Sequence, residues 1–472
     1  MYLDRGGLEL TAPSIFAVES YDRALDRLAH FEPDMMGPLL PVLTEPDTFP
    51  LAEIFRVYLD ALSMDPDIIL PSGKKFSMIR HKLADLSLTA RERGHVEAAA
   101  QLLAGNLTAA SRILADISAE YPLDLLALAI GHQIDYIRGD AVSLRDRVGA
   151  ALRHWHEEGH NYPAVLGMYA FGLEENGNWE YSEDIGTRAA DLDSRNVWAI
   201  HAVAHANEMR ARFGAGMRWL DARRRSWDTE NQIRGHIMWH YGLYLLEAGE
   251  TARVLALYDG ALAPAAAESK APVLVNGSSM LWRLYLEGVD VSERFAVLAR
   301  EWRRYACRAW WAFNDIHAVM CYTGSDDIAS AAALISDREA YVSEAPPGID
   351  NATVTAQLGL PVCKALVAFH VGRYNEAFSL MQPIREILYR CGGSHAQRDV
   401  LHQTLLEAAI RANRWDQASR IASERVAIRP DSPVNWEFFA KLATARGDPH
   451  MARTCEQRAL RLVADAQSTG QD

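Results

Sequence analysis

The chain is poor in cysteine. Its five thiols (Cys307, Cys321, Cys363, Cys391 and Cys455) are an odd number spread over 472 residues, with no Cys-x-x-Cys pair. That argues against a disulfide framework and a thiolate zinc site, and fits a reducing compartment. Long basic runs are also missing. The tightest, Arg223-Arg224-Arg225, is followed by Asp228 and Glu230, and the formal net charge is -14. Nucleic acid is therefore not an expected partner, nor is an anionic membrane surface. No apolar stretch of about 18 residues stands out, so no membrane span is expected. Residues 1–16 carry acids, no basic start and no continuous apolar core, which argues against a secretory signal. The expected location is the cytoplasm. Strand signals are scarce as well: alternating β-branched runs bounded by Asn-Gly or Asp-Gly turns do not occur.

What fills the chain instead is helical periodicity with regular punctuation. Breaks fall at Gly139-Asp140, Gly177-Asn178, Arg212-Phe213, Gly249-Glu250, Gly324-Ser325, Gly372-Arg373 and Asn413-Arg414. The intervals are 38, 35, 37, 75, 48 and 41 residues, and the longest would hold two units. A helix, a Gly-containing turn and a second helix at periods near 34 to 40 mark helical-hairpin solenoids. One such hairpin cannot bury its own apolar face, so stacking must supply the core. Two segments, 172–196 and 411–433, read as degenerate tetratricopeptide repeats. Each has a break, a turn aromatic (Trp179 or Trp415), and then small residues such as Ala189 and Ala418 that let helices approach. Pro430 ends the second of these units. A generic all-α bundle without true repeats is the competing architecture.

The predicted fold is thus an all-α, tetratricopeptide-like superhelix. Residues 1–90, broken by Pro33, Pro38, Pro41, Pro46 and Pro50, read as an irregular helical N-terminal cap. Central repeats are expected over 91–343, C-terminal repeats over 344–466, and a flexible polar tail over 467–472. Glu344–Asn351, with two prolines and a glycine, is the expected internal loop or hinge.

Several segments together resemble the tetratricopeptide repeat protein 38 family. They are MYAFGLEENG (168–177), WAIHAVAHANEMR (198–210), GHIMWHYGLYLLEAGE (235–250), LWRLYLEGVDV (281–291) and FNDIHAVMCY (313–322). The resemblance is densest from about residue 120 to 330. It implies an all-α tetratricopeptide solenoid and implies little about activity.

The features that bear on chemistry are two His-x-x-x-His pairs, His201/His205 and His236/His240, about one hairpin apart. Residues four apart lie one above the other on a helix face. In the tetratricopeptide frame, concave-face residues lie 15, 12, 8 and 5 positions before the turn marker. Counting from Phe213 gives His201, His205 and Glu208; counting from Thr251 gives His236 and Trp239, with His240 flanking the same groove. Counting from Trp179 gives Phe171 and Glu174.

Three readings stay open. The histidines could be structural. They could hold a divalent ion such as zinc, with His201, His205, His236 and His240 as candidate ligands. The zincin glutamate between paired histidines is absent, so Glu208 or Glu174 would have to supply a base. Without a metal, the same groups could act as acid and base on a small molecule stacked on Trp239. In both chemical readings His201, His205, His236, His240 and Glu208 are the catalytic candidates, in a hydrolase- or lyase-type enzyme. Trp239, Phe171, Glu174, Asn314, His317 and Arg283 are the candidate substrate contacts. Asn314 could instead cap a helix while His317 packs. Arg283 could pair with Glu287 at i+4 or hold a substrate carboxylate. His132 and Asp135 are expected in an interhelical hydrogen bond, and Cys321 and Cys363 in inert packing. A small-molecule ligand is the expected partner. The alternative is a non-catalytic scaffold that holds a peptide or partner protein in its groove. Such grooves usually offer Lys, Arg and Asn rather than histidine, acid and aromatic.

Overall fold

The computed structural model describes residues 2–266, 270–306 and 308–468. Cys307 and residues 469–472 of the expected tail lie outside them, while the last helix, Pro449–Ser468, reaches into that tail. The fold is all-α, built of tetratricopeptide-like helical hairpins stacked in solenoid fashion; a two-stranded ribbon at the N-terminus is the sheet found among the described residues. The chain divides into two compact units.

The first unit comprises Met1–Val203, Arg225–Arg234 and Pro346–Asn351. It opens with the ribbon, in which Tyr2 faces Leu10 and Leu3 faces Glu9. Helices Ile15–Ala29, Pro50–Leu62 and Pro66–Ala84 follow, separated by proline-rich turns. Three regular hairpins come next: Ala90–Leu103 with Leu107–Glu120, Leu125–Arg138 with Ala141–Leu152, and Tyr162–Glu175 with Trp179–Leu192. Each helix packs on its successor, as a nearest-neighbour stack requires. The breaks read from the sequence are helix ends. Gly139 (φ +66°) and Gly177 (φ +77°) adopt the left-handed conformation that closes a helix, which a side chain would strain. Trp179 then opens the second helix of its hairpin. Two later segments complete the unit. The Gln232 amide donates to the Phe31 carbonyl (2.8 Å), and Asp350 accepts from the amide and hydroxyl of Thr108 (2.6 and 3.1 Å).

The second unit comprises Ala204–Arg224, Gly235–Ala345 and Ala352–Asp472. Its helices include Phe213–Ala222, Arg234–Glu247, Ala271–Leu286, Ala312–Gly324, His395–Arg411 and Trp415–Ile428. Phe213, Thr251 and Trp415 each open a helix, at the turn positions that the repeat pattern assigned to them. One sequence expectation needs correction here. The run Asp350–His370 is long and apolar enough to cross a membrane, yet more than half of it is buried. Its later part, Leu360–His370, packs on Ala312–Gly324, Ile328–Glu344 and Tyr374–Met381 as a core helix.

Close approach is tight at Gly216. A Cβ there would lie 2.3 Å from the Tyr244 ring, whose hydroxyl is anchored to the Ala204 carbonyl at 2.6 Å. Gly216→Ala is therefore expected to cost about 1–3 kcal/mol through overpacking, despite alanine's better helix propensity. Thermal melts of the variant that match the wild type would contradict this.

Candidate functional site: a histidine cluster in the second unit

Helix Val197–Met209 runs from the first unit into the second, and its last turns carry His205 and Glu208. Helix Arg234–Glu247 carries His236, Trp239 and His240, and helix Ala271–Leu286 carries Asn276, Ser279 and Arg283. The 3.6-residue period stacks His236 on His240, with ring centroids 4.8 Å apart. The His205 ring meets His240 edge-on at 4.2 Å. His205, His240 and Trp239 are fully buried, Glu208 is nearly so, and His236 reaches partly toward solvent.

Hydrogen bonds orient two of the rings. His240 donates from Nδ1 to Glu208 Oε2 at 2.9 Å. His236 donates from Nδ1 to Asn276 Oδ1, also at 2.9 Å. Both contacts fix a tautomer that leaves Nε2 with its lone pair, the arrangement that outer partners impose on metal-bound or basic histidines. Trp239 stacks on His236 at 5.3 Å and donates from its indole N–H to Ser279 Oγ at 3.0 Å. The indole is thereby locked as one wall.

Electrostatics keep the imidazoles neutral. Burial, reinforced by the neighbouring rings of His240 and His236, holds His205 well below the usual histidine range. Burial, then His236 and Arg283, does the same to His240. Burial lowers His236 too, partly offset by its bond to Asn276. Glu208 moves the other way: burial pushes it up to about 7, against the pull of Arg429 and Arg283. Neutral imidazoles are the form that binds metal or takes a proton.

The donor set suits a divalent ion. His205, His236 and His240 each bring a ring nitrogen within 4.8 Å of the others'. Tetrahedral zinc at 2.0–2.1 Å holds its nitrogens about 3.4 Å apart, so closing on an ion needs side-chain movements on the order of 1 Å.

Beside the histidines stands a cationic wall that sequence reasoning saw only in part. Arg283 donates to the Ser279 carbonyl (3.0 Å) and the Ala396 carbonyl (2.7 Å), and lies 5.4 Å from the Trp239 ring centroid. Burial draws Arg283 down to about 10, so it stays cationic at neutral pH. Arg429 donates to Glu247 at 2.6 Å, while its buried Nε makes no hydrogen bond among the described residues. Arg425 clamps Asp399 with two bonds, at 2.6 and 3.1 Å. These partners lie up to 182 residues apart, and no sequence spacing announces them.

The remaining sequence candidates are spread over both units. His201, one turn before His205, belongs to the first unit, where its ring packs on Trp198 (4.7 Å) and Phe171 (5.3 Å). Phe171 and Glu174 are buried in that unit on helix Tyr162–Glu175. His317 donates to the Phe313 carbonyl one turn back at 2.7 Å, which is the packing role. Asn314 does not cap its helix; Trp311 holds the cap position, and Asn314 is buried. The expected Arg283–Glu287 pair is not formed among the described residues. Long helical side chains lean toward the N-terminus, so Arg283 reaches back to Ser279, and Glu287 is already the C-cap. His132 and Asp135 make the interhelical hydrogen bonds expected of them. The indole N–H of Trp198 donates to His132 at 3.3 Å, while Arg147 and Ser111 hold Asp135. The described cysteines are free and buried, as expected for packing.

No family model matches the chain. It is similar to the TPR domain of P58(IPK), with 12% identity, 81% of this chain and 98% of that one covered, and a TM-score of 0.23. A human IFIT1 dimer with m7Gppp-AAAA shows 13% identity, coverage of 85% and 96%, and a TM-score of 0.35. The APC/C hetero-tetramer Cut9–Hcn1 shows 10% identity, coverage of 96% and 95%, and a TM-score of 0.33. Likenesses at this level carry no argument about ligand or activity, and the hairpin architecture rests on the helices described above.

Proposed function

We propose that this chain is a tetratricopeptide-like cytoplasmic protein, of the tetratricopeptide repeat protein 38 family, whose second unit is a metal-binding site for a small anionic molecule. The observation that carries this reading is the pair of anchored rings. His236 and His240 have their Nδ1 atoms tied to Asn276 and Glu208, and both converge with His205. An ion bound there would polarise a carbonyl or phosphoryl oxygen and activate water, which supports hydrolase- or lyase-type chemistry. Arg283 and Arg429 supply the positive charge for a carboxylate or phosphate on the ligand. Trp239 gives a flat apolar wall, and Glu208 orients His240.

The test is elemental analysis of the purified full chain, followed by zinc titration after chelation. About one zinc per chain is expected, with affinity lowered at least tenfold in His240→Ala. Asn276→Ala, which leaves all three rings in place, is expected to weaken zinc by about tenfold at unchanged circular dichroism. A folded chain that takes up no divalent metal, or a His240→Ala variant that binds zinc as the wild type does, removes the metal site.

A second reading, a non-catalytic scaffold that holds a peptide or partner protein, is favoured by the stacked hairpins of both units. A partner that binds the zinc-free and His240→Ala proteins equally well would support it over the first.

A further inference from the structure

The first unit contains a cleft of about 210 Å³ far in sequence from the histidine cluster, lined by residues of the N-terminal ribbon, helix Ile15–Ala29 and the turn that follows Leu152. We propose that this cleft is a binding site for a small organic cation, an alkylammonium or guanidinium group on a short apolar body.

The polar groups left over in the cleft carry the argument. Its buried cation is already occupied. Arg91 donates to Asp124 (3.1 Å) and the Glu9 carbonyl (3.0 Å) and pairs with Asp4 (3.1 Å). What remains is oxygen. The Tyr21 hydroxyl is fully buried, lines the cleft and makes no hydrogen bond among the described residues. The amide oxygen of Asn161 is buried and equally without a partner. Asp22, half-buried on the same wall, accepts the Arg5 amide at 3.1 Å with one carboxylate oxygen. Buried polar atoms in native proteins nearly always find partners, so two orphans at one cleft point to a missing donor. Asp4, Asp22 and Asp124 line it against the guanidiniums of Arg5 and Arg91, a balance that favours a positive guest.

An anion is disfavoured by the same inventory. Three of the cleft's other nitrogen groups turn elsewhere: His160 pairs with Asp26 at 2.8 Å, His154 accepts from Arg153 at 3.1 Å, and the Trp155 N–H donates to the Pro122 carbonyl at 2.9 Å. The rest of the lining includes Leu25, Leu123 and Leu125, with the Trp155 ring. That suits an apolar body of a few carbons. The volume is below the roughly 300 Å³ of drug-sized sites, so the guest is small.

Titration calorimetry of the full chain with n-butylammonium chloride tests this, with sodium butyrate and n-butanol as matched controls. One butylammonium per chain is expected, bound at least tenfold tighter than either control. Asp22→Asn is expected to weaken it about tenfold or more, and Tyr21→Phe about three- to tenfold, in line with the loss of one ordinary hydrogen bond. Both variants keep their shape, and unchanged far-ultraviolet circular dichroism confirms the fold. Absence of binding at 20 mM ligand (roughly −2.3 kcal/mol of affinity), equal binding of butyrate, or wild-type affinity in both variants overturns the proposal.

Discussion

Asp124→Ala is expected to cost the first unit about 3–5 kcal/mol, the loss typical of breaking a buried charge pair from one side. The carboxylate is almost fully buried and does three things at once. It caps helix Leu125–Arg138 by accepting the Ala127 amide at 2.9 Å. It accepts from the Arg91 guanidinium at 3.1 Å and from His95 Nε2 at 3.0 Å. Removing it takes one of two carboxylates from the buried Arg91, leaving Asp4 and the Glu9 carbonyl, and uncaps a central helix. The pH dependence has a definite sign. Burial works to raise this carboxyl, but His95 and Arg91 overcome it and hold it well below the usual carboxylate range. A depressed folded-state pKa stabilises at every pH above the unfolded value, about 3.9, and that stability fades as pH falls through the folded value. The deficit of Asp124→Asn should therefore be flat from pH 5 to 8 and shrink below about pH 4. Hydrogen-exchange protection of peptides spanning 89–138 reads this directly. Equal protection in variant and wild type at pH 7 would sink the argument.

Asp315→Ala should be nearly as damaging in the second unit, at about 3 kcal/mol. Arg338 is fully buried and donates to both oxygens of Asp315, at 2.9 and 2.8 Å. Its remaining hydrogen bonds go to the carbonyls of Ala306, Tyr305 and Arg308 and to Asp337. Loss of Asp315 leaves the bidentate side of the guanidinium facing protein. The double variant Asp315→Leu/Arg338→Met removes both charges at similar volume. It should recover most of the loss, since buried pairs replaced whole by apolar side chains are often neutral or better. A double variant as unstable as Asp315→Ala, in melts monitored over the Ala312–Gly324 and Ile328–Glu344 helices, would show that the charge was not the cause.

These residues also show how far the sequence could be read. The hairpins were legible because local rules write them: a left-handed Gly139 or Gly177 ends one helix, and an aromatic such as Trp179 starts the next. The shared faces of His205 with Glu208 and of His236 with His240 follow from the period of the helix alone. The union of His205 with His240 followed from the repeat frame, which sets neighbouring first helices side by side. Asn276, Ser279 and Arg429 were invisible because they arrive from 40 residues away or more, through packing that leaves no spacing behind. The partner of Asp315 was equally out of sight. In FNDIHAVMCY Asp315 stands between two suggestive polar residues, and only the buried Arg338, 23 positions on, reveals a structural pair. Arg283 was noticed as an odd charge, but the lean of helical side chains toward the N-terminus sent it to Ser279 rather than to Glu287.

The first unit's dependence on late segments has a consequence for biosynthesis. Its hairpins leave the ribosome early and contact mainly their neighbours, so most can form as they emerge. Yet Phe31 meets the Gln232 amide, and Thr108 is held by Asp350. At roughly 5–20 residues per second, the chain between Thr108 and Asp350 takes on the order of ten to fifty seconds to translate. Throughout that interval the nascent unit stands open where its last pieces will close it, and it is in this window that a chaperone would find the chain.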